Sequence, residues 1–152
     1  MNPMKNFLSL MLSMGCTASI CSAQPFVLVT EAEAAASIAA GGVITPRSVG
    51  QPGSLQIELI APDISKAISA PTNIEVRFVG NPPSEPKPDT FRILYGAFRI
   101  DITQRLLGVA KVTKEGIKVQ EAVLPKGRHQ LSMSISDSMG RQSQQTVAFT
   151  VE

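Results

Sequence analysis

The fold is decided by residues 124–151, LPKGRHQLSMSISDSMGRQSQQTVAFTV. Two runs in this stretch alternate apolar and polar side chains. The apolar members are Leu131, Met133 and Ile135 in the first run and Val147, Phe149 and Val151 in the second. A period of two is typical of a β-strand that buries one face. Between the runs, DSMG ends in Gly140, which suits a positive φ and predicts a hairpin turn.

Five earlier runs show the same alternation. Their apolar members are Leu55, Ile57 and Leu59, then Ile74, Val76 and Phe78, then Phe91, Ile93 and Tyr95, then Phe98, Ile100 and Ile102, and last Ile117 and Val119. Seven short amphipathic strands in one domain predict an all-β fold with two antiparallel sheets packed as a sandwich. Tyr95 shares a face with Phe91 and Ile93 and is predicted to lie in the core.

Residues 81–89 hold the prolines Pro82, Pro83, Pro86 and Pro88. Proline has no amide hydrogen to donate within a central strand, so an exposed and stiff loop is predicted here. With Glu85 and Lys87, these prolines form the first candidate interaction surface. Further on, residues 103–107 followed by Gly108 predict one helical turn that crosses between the sheets.

The segment RIDITQR, residues 99–105, holds the second candidate surface. Asp101 and Arg105 are close in sequence, and a carboxylate and a guanidinium can form a bidentate pair. Two interpretations stay open. The segment is either a structural clasp at the end of a strand or an exposed recognition patch.

Residues 24–54 differ in composition from residues 55–152. Thr30 and Glu33 have the spacing of a capping box, and the alanine-rich sequence after them predicts a helix over residues 31–40 that ends at Gly41. That helix offers mostly alanine for packing, and residues 43–54 have the prolines and glycines of a linker. We therefore expect residues 24–54 to form a flexible arm, or a docking peptide for a partner, ahead of a domain over residues 55–152.

Residues 1–23 have the layout of a secretory signal peptide. Lys5 precedes an apolar stretch over residues 7–20, and small residues precede a cleavage site after Ala23. A membrane anchor and a lipoprotein processed at Cys16 are the alternatives. The short leader favours bacterial export, so the expected location is periplasmic or secreted. Cleavage would leave a chain without cysteine and without a transmembrane segment.

The amino-acid composition limits which kinds of binding and catalytic site the chain can form. The chain has 14 basic and 12 acidic side chains, one histidine and no tryptophan. A nearly balanced charge argues against nucleic-acid binding. His129 is predicted to be a solvated residue at the start of a strand, and no Gly-x-Ser-x-Gly motif presents a nucleophile to it. No catalytic residue, cofactor or metal site is therefore predicted, although a weak calcium site at Asp137 stays open.

Two acid pairs are candidates for glycoside chemistry, Glu115 with Glu121 and Asp89 with Asp101. Such chemistry needs two carboxylates that flank one bond. The chain has one tyrosine and six phenylalanines, most of them at core positions, so few aromatic platforms remain for a sugar. This weakens the prediction of a glycosidase or a carbohydrate-binding module.

Residues 124–151 resemble the closing strands of bacterial immunoglobulin-like domains, with a proline-glycine turn, an Asp-x-x-Gly hairpin and a final Phe-x-Val. Residues 61–78, APDISKAISAPTNIEVRF, resemble their opening strands. The resemblance implies an immunoglobulin-like sandwich of about seven strands over residues 55–152, although the buried cysteine pair and core tryptophan of many such domains are missing. Domains with this fold often serve as interaction or spacer modules. Such a role for this chain is an inference by analogy from the fold.

The function expected from these observations is a non-catalytic accessory module of the bacterial cell envelope, with another envelope protein as its partner. A small ligand- or carbohydrate-binding protein is the first alternative, and a small hydrolase is the second. The oligomeric state is left open.

Overall fold

The computed structural model describes residues 26–41 and 47–152. The predicted leader and its cleavage site after Ala23 lie outside these residues. Strands account for 51% and helices for 11% of the structure. The elements in chain order are α1 (Glu31–Ala39), β1 (Arg47–Gly50), β2 (Gln56–Ala61), β3 (Thr72–Val79), β4 (Pro86–Tyr95), β5 (Ile100–Asp101), α2 (Thr103–Leu107), β6 (Gly116–Ala122), β7 (Gly127–Asp137) and β8 (Gln142–Val151).

The strands form two antiparallel sheets. One has five strands in the order β1-β8-β7-β4-β5, and the other has three in the order β2-β3-β6. The predicted all-β sandwich is confirmed, and so are the hairpin between β7 and β8 and the helical turn of α2. Each predicted run contributes a strand, and the eighth strand, β1, comes from the segment predicted to be a linker.

Alternation in β7 and β8 places their apolar side chains between the sheets. Leu131 lies opposite Val147, and His129 lies opposite Phe149. Tyr95, predicted to be a core residue, is 0% exposed. The rest of the core comes from the inward faces of β2, β3, β4 and β6, which is the burial pattern of an antiparallel sheet with one solvated face.

The turn between β7 and β8 depends on Gly140, whose φ is +78°. Replacing Gly140 with valine is expected to lower the free energy of unfolding by about 1–2 kcal/mol, because a β-branched residue is strained in this region. Denaturant unfolding measures the change. Met139→Ala is the control, since Met139 is 61% exposed and should cost little. Ser138→Ala is unsuitable as a control, because the Ser138 hydroxyl donates a hydrogen bond to Pro83 O. Equal losses at positions 139 and 140 would contradict the turn geometry.

Two details of the predicted strands are wrong. Pro86 and Pro88 lie in β4, not in a loop, because this end of β4 pairs only with β7 and the register shifts between Lys87 and Arg92. Phe98 is 65% exposed, since residues 96–99 reverse the chain before the two-residue strand β5.

The predicted helix after Thr30 is confirmed as α1, and its capping box is complete. The prediction that this segment is a flexible arm does not agree with its packing. Leu28 and Val29 are 0% exposed, and Ala34 is also buried. Val27 forms a parallel bridge with Val123 just beyond β6. Leu28, Val29 and Ala34 therefore anchor this part of the predicted arm in the hydrophobic core.

Neither of the helices described is long and apolar enough to span a bilayer.

Candidate functional site

The end of the sandwich where β7 turns into β8 is organised around the Asp137 carboxylate, which is 0% exposed. Its Oδ1 accepts hydrogen bonds from the amides of Met139 and Arg141 at 2.9 and 2.8 Å. Its Oδ2 accepts from Ser84 Oγ and Arg141 Nε, both at 2.8 Å. Burial opposes ionisation, but the donors from Arg141 and Ser84 outweigh it, and the pKa of Asp137 lies below its ordinary value.

Further bonds join the two loops on either side of this carboxylate. Ser138 N donates to Glu85 O at 2.8 Å, and Glu85 N donates back to Ser138 Oγ at 3.2 Å. Ser138 Oγ donates to Pro83 O at 2.9 Å. Residues 80–85 and 138–141 are thus fixed to each other, and we call them together the upper loop cluster.

The outer surface of the upper loop cluster is apolar or uncharged at its tips. Met139 is 61% exposed, and Pro82 and Pro83 are exposed beside it. Glu85 forms a solvated ion pair with Lys114 at 2.8 Å, which lowers the pKa of Glu85. An exposed pair of this kind contributes little to stability. The cluster therefore exposes apolar side chains on two fixed loops, and the charges of Glu85 and Lys114 beside them cancel.

The structure separates the predicted interaction residues into two places. Pro82, Pro83 and Glu85 belong to the upper loop cluster, and Pro86, Lys87 and Pro88 continue from it into β4. Asp101 pairs with Leu94 near the other end of β4, roughly 25 Å away along the strand. The two candidate surfaces do not form one site.

Asp101 and Arg105 do not pair with each other. Asp101 accepts from Thr103 N at 2.9 Å, which lowers its pKa, and forms an exposed ion pair with Arg92. Arg105 instead makes a bidentate pair with Glu33 of α1, at 2.7 and 2.8 Å. The bonds from Arg105 and Thr30 lower the pKa of Glu33 to about 2. Of the two interpretations of this segment, the clasp fits Arg105, which holds α1 against the domain.

His129 was predicted to be solvated, and this is wrong. It is 1% exposed, its Nε2 lies 2.7 Å from Pro125 O, and its Nδ1 lies 2.8 Å from the Tyr95 hydroxyl. A carbonyl oxygen only accepts, so Nε2 carries the proton and the Tyr95 hydroxyl donates to Nδ1. Burial lowers the pKa of His129 and raises the pKa of Tyr95 to about 12. Both groups are neutral at pH 7.

The calcium site left open at Asp137 has no free ligand atom, since four donors fill the lone pairs of its carboxylate. Among the residues that the structure describes, no three His, Cys, Asp or Glu side chains are grouped to hold a metal ion. Glu115 precedes β6 and Glu121 lies near the far end of the same strand, so the two carboxylates are too far apart to act on one bond.

The core encloses a void of about 20 Å³ lined almost entirely by apolar side chains, which is room for one water molecule and not for a ligand. Comparison with known proteins found no family model that matches the chain, no curated protein similar to it and no solved structure that matches it at a significant level.

Proposed function

We propose that this protein is a non-catalytic interaction module of the bacterial cell envelope, and that it binds another envelope protein through the upper loop cluster. The observation that carries the proposal is the buried Asp137 carboxylate. It holds two exposed loops in one arrangement, although neither loop contributes large apolar side chains to the core.

Loops that are ordered before binding lose less conformational entropy when a partner immobilises them. Pro82 and Pro83 restrict the first loop further. Met139 supplies an adaptable apolar side chain at the tip of the second loop, of the kind that fills irregular pockets. The cluster thus combines a rigid frame with one soft apolar contact.

The strand order supports an immunoglobulin-like assignment within this proposal. If β2, β3 and β6 are taken as strands A, B and E, then β4, β7 and β8 take the places of C, F and G in the facing sheet. The short strand β5 pairs with β4, not with β6, which is a departure from the constant-type arrangement. Loops at the ends of such sandwiches are common binding surfaces.

The location is part of the proposal. The signal peptide predicted over residues 1–23 would direct the chain to the periplasm or the exterior. N-terminal sequencing of the exported protein should find Gln24 as the first residue, and an intact Met1 on exported protein would contradict this step.

The test is site-specific photocrosslinking in the envelope of the native host. A crosslinking amino acid at position 139 is expected to capture one protein species, and the same residue at Phe98, equally exposed near the other end of β4, is the matched control. Asp137→Asn should reduce capture from position 139 roughly tenfold, because it removes an ionised acceptor and releases both loops. Equal capture from both positions, or capture unaffected by Asp137→Asn, would overturn the proposal.

A further inference from the structure

The five-stranded sheet ends in two short edge strands, the four-residue β1 and the two-residue β5. β1 pairs along β8 from Ser143 to Thr146. Toward the C-terminal end of β8, Ile68 N donates to Thr150 O and Glu152 N donates to Ile68 O, both at 2.9 Å. On the opposite side, β5 pairs only with Leu94 and Tyr95, and the exposed start of β4 carries Pro86 and Pro88, which cannot donate to an added strand. Covered or very short edges protect a sheet from pairing with other chains.

One edge of the three-stranded sheet is covered in the same way. Thr113 N donates to Gly116 O at 2.9 Å at the start of β6. Beyond the end of β6, Leu28 N donates to Val123 O at 3.2 Å. Only a short middle section of β6 remains open.

The other edge of this sheet, β2, is different. Phe78 N donates to Glu115 O, so the backbone of Phe78 faces β6 and that of Arg77 faces β2. Arg77 lies opposite Glu58, and the groups of Glu58 are therefore used within the sheet. Alternate residues of a strand face opposite sides, so the N–H and C=O groups of Ile57 and Leu59 point away from the sheet. No other residue in the described ranges bonds to them.

A groove of about 420 Å³ runs beside this open edge, between β2 and β1 of the other sheet. Its polar lining includes Ser48, Gln51, Ser54 and Gln144, which are uncharged, and Glu58 is the only charged residue in it. Glu58 forms no ion pair with any described residue. Leu59 points toward the core and yet is only partly buried, so the core is incompletely covered here.

We propose that the β2 edge accepts an extended segment of a partner protein as an added strand, with a lysine or arginine of that segment opposite Glu58. Ile57 and Leu59 supply the backbone donors and acceptors of the new ladder, as in other cases of strand addition. Arg77 of β3 lies opposite Glu58 on one side without forming an ion pair. A cation in the added strand would face the carboxylate from its open side, and opposite charges on directly opposed residues stabilise a strand pair. Apolar residues on either side of that cation would cover the part-buried Leu59.

This inference does not depend on the upper loop cluster, whose crosslinking test uses a different surface. A negative crosslinking result at position 139 would not contradict the proposal for the β2 edge, and a negative result at the β2 edge would not contradict the proposal for the upper loop cluster.

The test is amide hydrogen exchange on the isotopically labelled full chain, with two blocked pentapeptides as probes, TVKVT and TVEVT. In the free protein, the amides of Ile57 and Leu59 should exchange at least about tenfold faster than that of Glu58, which faces β3. TVKVT at millimolar concentration should slow exchange at Ile57 and Leu59 about threefold or more, whereas TVEVT should have little effect.

Glu58→Gln is the matched variant, because position 58 is exposed and the change removes the charge without placing a second cation opposite Arg77. It is expected to abolish the preference, so that TVKVT and TVEVT protect the edge to the same extent. Any one of three results would overturn the proposal. The first is equal protection of the Ile57, Leu59 and Glu58 amides in the free protein. The second is protection that rises with protein concentration alone, which would indicate a second copy on this edge, and the third is exchange that neither peptide changes.

Discussion

Leu28→Ala is expected to lower the free energy of unfolding by about 3 kcal/mol. Leu28 is 0% exposed and lines the void at the centre of the core together with Leu131 and Phe149. Truncation removes its buried methyl groups and enlarges that void, and both effects destabilise. Denaturant unfolding followed by circular dichroism measures the loss through the midpoint at constant slope.

Two valines that flank Leu28 provide a matched control. Val29 is 0% exposed and Val27 is 49% exposed, so the same substitution tests burial alone. Val29→Ala should cost about 2 kcal/mol and Val27→Ala less than about 0.5 kcal/mol. Small and equal losses for all three variants would mean that residues 26–29 are the flexible arm predicted from the sequence.

The strands were predictable because each carries its own periodic signal. Leu131, Met133 and Ile135 recur every second residue, and the register of β7 with β8 only has to bring that face inward. The segment around Leu28 has no such signal, since FVLV is a short apolar run with no alternation. The burial of this segment depends on the bridge between Val27 and Val123, and no local sequence pattern predicts a contact between residues so far apart.

The parts of the candidate site that have a local sequence signal were predictable, and the contacts between distant segments were not. The prolines of residues 82–88 were recognised from their own chemistry, and Asp137 was recognised as a turn residue. The bond from Ser84 to Asp137 spans 53 positions and could not be inferred. One local signal was available and unused, since an aspartate that begins a turn and an arginine four residues later can bond within the turn.

The chemistry of Arg105 was misassigned through proximity in sequence. A guanidinium near Asp101 suggested a pair, but Asp101 is occupied by the amide of Thr103 at the start of α2. Glu33 lies 72 positions away, and its pKa of about 2 keeps its carboxylate ionised in mild acid. The pair therefore clasps α1 to the domain through mild acid.

The only histidine is the second residue at which we expect a large effect. His129 fills a buried position between the Tyr95 hydroxyl and Pro125 O, and it stacks on Phe149 with ring centroids 5.6 Å apart. His129→Ala is expected to cost about 3 kcal/mol, because it creates a cavity and leaves the buried Tyr95 hydroxyl and the part-buried Pro125 carbonyl without their partner. Arg128→Ala, at an exposed neighbour on the same strand, is the control and should change stability little.

The same histidine is expected to make folding sensitive to mild acid. Its pKa is lowered by burial from 6.5 in the folded state, so between that value and the folded pKa the unfolded chain binds a proton that the folded chain does not. The free energy of unfolding should therefore fall as the pH is lowered from 7 to 5. Carboxylates with lowered pKa values in the folded state, such as Asp137 and Glu33, have ordinary pKa values of 3.8 and 4.5. Their protonation therefore lowers the free energy of unfolding mainly below about pH 5.

Because the chain has one histidine, this pH window isolates one group. Unfolding by denaturant at pH 7, 6 and 5 should show a progressive loss for the native chain and almost none for His129→Gln, whatever the absolute stability of the variant. The amide of glutamine does not titrate, so the proton-linked part of the loss disappears with the imidazole. A native chain equally stable at pH 7 and 5 would show that the folded protein accepts the proton at His129 as readily as the unfolded chain, and that the buried bond between Tyr95 and His129 does not exclude a charge.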